Sequence, residues 1–240
     1  VGGYSTDVVV GATWSSPITV RLKDLAGNLT TRDDSTTVSV VVASGPAGTV
    51  TQSELVVNGG IATFSNLALF GTTTPAGETP IGYTLKFRTD TFESAATVAI
   101  TLRHAAPAKL TLESGPTAVV AGSASSQAFV VAVRDAYDNL VTDWQRAGAW
   151  WNGTGQVSFA VSSSAALTPS VVQTQTQTSN VSDSGSDDGK ATIQPSAIGA
   201  KSTNSQPVIF KLVGTDISLT TSLVVTGGSA RQVSISGAVQ

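Results

Sequence analysis

The chain has no cysteine and no methionine, and only one histidine, among 240 residues. Without cysteine there is no disulfide framework and no thiolate to act as nucleophile or soft metal ligand. One histidine, His104, excludes a histidine pair for zinc and leaves a serine nucleophile with a single candidate base, which no G-x-S-x-G elbow accompanies. The expectation for His104 is an exposed residue in a linker. Charged residues make up only 12% of the chain and the formal net charge is −3. No basic patch is present to hold nucleic acid or an anionic membrane. No apolar run is long enough to cross a bilayer, and no basic-then-apolar leader opens the chain. Valine rather than methionine at position 1 is expected of a processed or excised piece.

What is abundant is valine, serine, threonine and glycine, with 23 glycines. β-Branched residues suit a pleated, half-buried surface and glycine supplies turns, so the expected class is all-β. The dominant feature is an internal repeat. Val119 to Thr142 (VVAGSASSQAFVVAVRDAYDNLVT) falls without a gap on Val8 to Thr31 (VVVGATWSSPITVRLKDLAGNLTT), 111 positions earlier. Val8, Val9, Gly11, Val20, Asp24, Asn28, Leu29 and Thr31 recur as Val119, Val120, Gly122, Val131, Asp135, Asn139, Leu140 and Thr142.

Each copy reads as short strands between turn signals, with no helical period. Val8–Val10 closes at Gly11, and Ile18 to Lys23 alternates with period two. Asp24-Leu-Ala-Gly-Asn28 then forms a tight turn, because Asp and Asn bond their own backbone and Gly accepts positive φ. Thr37 to Ala43, Ile61 to Phe64, Leu67 to Phe70, Tyr83 to Phe87 and Ala96 to Leu102 follow. The second copy runs through Leu110 to Leu112, Ala118 to Ala121, Phe129 to Arg134, the Asp135 to Asn139 turn, Lys190 to Ile193 and Val208 to Leu212. From the shared Asn to the shared Ala the first copy uses 34 positions and the second 52, an insertion of 18 residues. That region holds Trp144, Trp150 and Trp151, three of four tryptophans, and the polar run Gln173 to Thr178, legible either as an exposed edge strand or as a mobile loop. The short junction His104-Ala-Ala-Pro-Ala-Lys109, stiffened by Pro107, predicts a rod.

The stretch PAKLTLESGPTAVVAGSASSQAFVVAVRDAYDNLVTD resembles the opening of a bacterial Ig-like repeat of the invasin/intimin-related kind: a first strand, a V-x-G turn, a long apolar strand and a D-x-x-x-N turn. The resemblance covers both copies and implies two tandem Ig-like β-sandwich domains arranged end to end, in the extracellular, cell-surface setting of adhesins, surface layers and fibres. It transfers no catalytic residue.

Domains are therefore expected at 1–106, a sandwich lacking its own first strand, and at 107–229, a sandwich with the insertion. Residues 230–240 form an extra strand of the first type. The extra strand follows from register. Pro107 to Ser114 has no counterpart in the first copy, whereas Ala230-Arg-Gln-Val-Ser-Ile-Ser-Gly237 repeats that opening with nothing after it to fold upon. One reading is a cut through a longer array. The other is a donor strand that completes the first sandwich of a neighbouring molecule, head to tail, with Val233, Ile235 and Val239 meeting Val8 and Val10.

Three chemistries compete for the remaining candidates. Asp183, Asp187 and Asp188 in one Ser/Gly-rich loop could supply oxygens to calcium, and Asp135, Asp138 and Asp143 form a second acidic group; neither meets the EF-hand pattern. Turn-forming Asp in solvent is the plainer outcome. Trp144, Trp150 and Trp151, with Tyr137 near them in sequence, suit sugar stacking, a subunit contact or the cap of a core. Gly185 to Lys190 is one residue short of a phosphate loop and lacks its hydroxyl. Asn28, Asn152 and Asn180 open acceptor sequons of a kind common by chance in Ser/Thr-rich chains. The function expected is a non-enzymatic structural module whose partners are identical or related Ig-like modules, without cofactor beyond calcium. The alternative is an adhesin that recognises a glycan or receptor through the tryptophan-bearing insertion.

Overall fold

The computed structural model describes residues 5–73, 81–97, 99–142, 155–161, 176–181, 189–195 and 203–228, and every regular element among them is a β-strand. The molecule consists of two Ig-like β-sandwich units. Unit 1 is Val1–Pro107 together with later segments whose described part is 134–142; unit 2 takes Ala108–Val133 and the other described residues.

Unit 1 contains β1 (Asp7–Val9), β2 (Ile18–Arg21), β3 (Thr37–Ser44), β4 (Gly48–Val50), β5 (Glu54–Val56), β6 (Ile61–Phe64), β7 (Leu69–Gly71), β8 (Gly82–Arg88) and β9 (Ile100–Arg103). Its main sheet has the order β1-β9-β8-β3-β5, faced by the pairs β2-β6 and β4-β7. Period-two alternation sets the buried face: along β8, Tyr83, Leu85 and Phe87 point inward while Thr84 and Lys86 do not. One core joins both layers, from Val8, Val38, Val40, Ile100 and Leu102 of the main sheet to Ile18, Ala62 and Phe64 of the other. Phe64 and Phe87 meet with ring centres 5.3 Å apart.

Unit 2 repeats the plan with β10 (Lys109–Ser114), β11 (Ala118–Val120), β12 (Phe129–Arg134), β13 (Gln156–Val161), β14 (Thr176–Asn180), β15 (Lys190–Ile193), β16 (Thr203–Leu212) and β17 (Ser218–Thr226). The sheets are β11-β17-β16-β13-β14 and β10-β12-β15. Phe129 of the smaller sheet packs edge-on against Phe210 of the larger, 5.3 Å between centres. In both units the strand before the V-x-G turn runs parallel to the last strand, with Val8 opposite Leu102 and Val119 opposite Val225. Gly11 and Gly122 make the same left-handed turn, φ 71° and 72°.

The polar run ending at Thr178 contributes to a strand, β14, at the edge of its sheet, so of the two readings open to it the edge strand holds. Its lack of apolar residues fits an edge, where one row of backbone groups faces water. The strand expected from Ala96 starts only at Ile100, because Thr97 bonds Leu85 through both its hydroxyl and its backbone N–H, replacing a regular ladder.

Tyr83 shows how tightly unit 1 is fitted. It is fully buried, its hydroxyl donates to the Thr72 carbonyl at 3.0 Å, and glycines surround its ring. A Cβ at Gly71 would lie 2.4 Å from the hydroxyl, and one at Gly48 would lie 3.0 Å from the ring. Gly71→Ala is expected to destabilise unit 1 by about 1–3 kcal/mol through overpacking. Adding Tyr83→Phe should recover part of that loss in a double-mutant cycle followed by urea denaturation. Purely additive effects would show that the two residues do not compete for the same space.

Candidate functional site

The repeated D-x-x-x-N turn is where the chain places its most specific polar chemistry. In the first copy Asp24 Oδ1 accepts the N–H groups of Ala26 (2.9 Å) and Asn28 (2.8 Å), and the Asn28 side-chain amide donates to Asp24 Oδ2 at 3.1 Å. Asp24 N–H donates to the Asn28 carbonyl at 2.9 Å, and Gly27 N–H to the Asp24 carbonyl at 3.0 Å. The second copy makes the same set: Asp135 Oδ1 accepts from Tyr137 (2.8 Å) and Asn139 (2.9 Å), and the Asn139 amide reaches Asp135 Oδ2 at 3.3 Å. Its left-handed position is Asp138, φ 70°, where the first copy has Gly27, φ 87°. Asp tolerates that region better than most residues, so the turn survives the exchange.

The two turns differ in surroundings. Asp135 is completely buried: its Oδ2 accepts the Ala105 N–H at 2.9 Å, and Asn139 Oδ1 accepts the Thr73 N–H at 3.1 Å. Tyr137 lies edge-on to Phe70, with 5.3 Å between ring centres, over Gly11, where a Cβ would strike its hydroxyl at 2.2 Å. Asp24, Leu25, Ala26, Gly27 and Asn28 are all exposed, and Leu25 stands out fully at 110%.

A second feature is an unpaired edge. In unit 2 the smaller sheet is β10-β12-β15; in unit 1 it is β2-β6 alone, with no described strand in the place of β10. The outer edge of β2 is thus open among the described residues. Val8 and Val10, expected to receive a donor strand, are buried in the core of unit 1 itself, at 8% and 2% exposure. Val233, Ile235 and Val239, the tryptophans Trp144, Trp150 and Trp151, and the acidic group Asp183, Asp187 and Asp188 lie outside the described residues, as does Asp143.

His104 is not the exposed linker residue expected from sequence. It is 3% exposed, and its Nδ1 lies 2.8 Å from the Ala105 carbonyl. The cause is that the chain beyond β9 stays packed on unit 1 instead of running free. Asp135 and Asp138 do not present a cation seat either: the Asp135 oxygens accept N–H donors, and no group of three or more candidate metal ligands occurs among the described residues. A recess of about 190 Å³ beside β2 and β8, lined by Phe87, Phe92, Lys23, Arg88 and Glu93 among others, is smaller than sites for drug-sized ligands (~300–1,000 Å³). Neither Tyr137 nor the buried Asp135 could be assigned a contact from sequence, since nothing local distinguishes a covered turn from a solvated one.

No family model matches the chain, and no curated protein matches it. Among solved structures it is similar to domains 4 and 5 of the S-layer protein SbsC, 15% identical, covering 89% of this chain and 81% of that one, with a TM-score of 0.30. The Yersinia pseudotuberculosis adhesin InvE is 16% identical over 97% of this chain and 63% of its own, TM-score 0.32. A D1–D4 ectodomain fragment of ICAM-5 is 12% identical over 92% and 51%, TM-score 0.30. Likenesses of this degree carry no argument about activity or partners.

The exposed turn has a measurable electrostatic signature. Hydrogen bonds from the Asn28 side chain, then from its backbone N–H, hold the Asp24 carboxyl below its ordinary value of 3.8. A carboxylate depressed in the folded state contributes stability above its unfolded value and loses it as pH falls through the folded one. Carboxyl-detected NMR titration should find Asp24 below 3.8, and Asn28→Ala should move it back toward that value. An unmoved titration would show that Asn28 is not the cause.

Proposed function

We propose that this chain is a non-enzymatic structural module of an extracellular surface assembly, a fibre, surface layer or adhesin stalk, and that it joins identical or related modules by strand complementation through residues 230–240. The observation that carries this reading is the match between a surplus and a deficit. Unit 2 has β10 against β12, and the corresponding edge of β2 in unit 1 is open among the described residues. The sequence Ala230 to Gly237 repeats that of β10: with Leu102 equivalent to Val225 in the parallel registers, Leu110 corresponds to Val233 and Leu112 to Ile235.

Leu110 is 5% exposed, so a strand of this type inserts at least one apolar side chain. Burying such a side chain contributes about 1.5–3 kcal/mol, alongside the backbone hydrogen bonds that an open edge offers. The contact has different surfaces on its two sides, so it propagates instead of closing into a symmetric dimer. The receiving strand in this scheme is β2.

Light scattering across a dilution series is the test, applied to residues 1–240 and to a chain ending at Gly228. The expected result is a polymer in the first and its loss in the second. Monomers in both would overturn strand complementation and turn attention to Trp144, Trp150 and Trp151 as a binding surface for a glycan or receptor.

A further inference from the structure

We propose that the exposed Asp24–Asn28 turn is a plug for a second copy of this chain, and that its socket is the exit of β17 with the Gly122 turn. The proposal rests on the structural-module reading above but uses different residues from the donor strand. Its basis is that the chain contains one completed example of the contact. The Asp135–Asn139 turn, part of unit 1, has its outward acceptors filled by the N–H groups of Ala105 and Thr73, and Tyr137 fills the space over Gly11. The same acceptor atoms of Asp24 and Asn28, held by the same internal hydrogen bonds, face water.

The socket also has a free second example. Through the parallel registers, Ala105 after β9 corresponds to Gly228 after β17, and Gly11 is repeated as Gly122. Where Gly11 is capped by a ring, no described atom lies within 4 Å of the Cβ position of Gly122. Where His104 is buried and Ala105 half-buried, Thr226, Gly227 and Gly228 are exposed. One chain therefore carries a filled plug and socket, an empty plug on unit 1 and an empty socket on unit 2. The two empty halves lie on different units, and a second copy supplies the complement of each.

The empty plug is the weaker version, because Ala26 stands where the filled one has Tyr137, and the ring is the part that buries most area. Covalent trapping suits a weak contact, and the absence of native cysteine makes it clean. Two full-length proteins, Leu25→Cys and Gly227→Cys, are mixed with a short bismaleimide. Leu25 is fully exposed and a Cβ at Gly227 meets nothing within 4 Å, so neither change costs the fold anything. The control pairs Phe92→Cys, another exposed site, with Gly227→Cys.

Docking predicts heterodimer formation about tenfold faster for the Leu25 pair than for the control, from the raised effective concentration of the thiols. Adding Ala26→Tyr, which restores the ring, should increase it further. The enhancement must persist in chains ending at Gly228, which lack the donor strand. Equal rates for the Leu25 and control pairs would overturn the docking proposal. An enhancement that vanishes on truncation would also overturn it while leaving strand complementation standing, and polymer loss on truncation with trapping intact would separate the two contacts.

Discussion

Asp135 is the only carboxylate buried among the described residues, and much of unit 1 beyond β9 depends on how it is satisfied. Removing a carboxylate from water is costly unless hydrogen-bond donors replace the lost hydration. Here two backbone N–H groups of its own turn and one from Ala105 do so, with the Asn139 amide as a fourth donor. The arrangement satisfies backbone groups that would otherwise be unpaired where a strand ends. It also explains why His104 is buried: with Ala105 held by Asp135, the chain leaving β9 cannot swing into solvent.

The repeat made most of this visible in sequence and left the rest dark for identifiable reasons. Strand positions such as Ile18 to Arg21 and Phe129 to Arg134 were legible because alternation and turn residues are local signals. The Asp24 and Asp135 turns were legible as turns, and their hydrogen bonds prove identical. What sequence could not show is that one is covered and the other bare, since covering is done by Ala105, Thr73 and Phe70, tens of residues away. His104 failed for the same reason: a Pro-containing junction looks solvated until its contacts are known. Short strands such as Glu54–Val56, which pairs with β3, have too few residues for a period to register.

The treatment of sheet edges separates this molecule from an inert pair of sandwiches. An edge strand is a template for pairing, and proteins blunt it with charge, polarity or shortness. In unit 2 the outer strand β14 reads Thr-Gln-Thr-Ser-Asn, without an apolar residue, and in unit 1 the outer strand β5 is three residues long and opens with Glu54. Strand β2 is not protected in this way. It carries Ile18, Thr19 and Val20 before its first charge at Arg21, and its counterpart β12 already accepts a neighbour on the equivalent side.

Two kinds of incompleteness therefore coincide on unit 1, an unblunted edge at β2 and an uncovered turn at Asp24, and unit 2 shows each in its completed form. Either alone is ordinary on a protein surface. Together they follow from one principle: a repeat unit whose boundary hydrogen-bond groups are met by the adjoining unit is complete only within a series. On that principle the strand and the turn do different work. The strand contributes buried apolar surface and a ladder of backbone bonds, and so supplies affinity. The turn contributes three directed hydrogen bonds at most and little area, and so fixes orientation. A module held by the strand alone would be connected but free to rotate, and one held by the turn alone would be oriented but weakly bound.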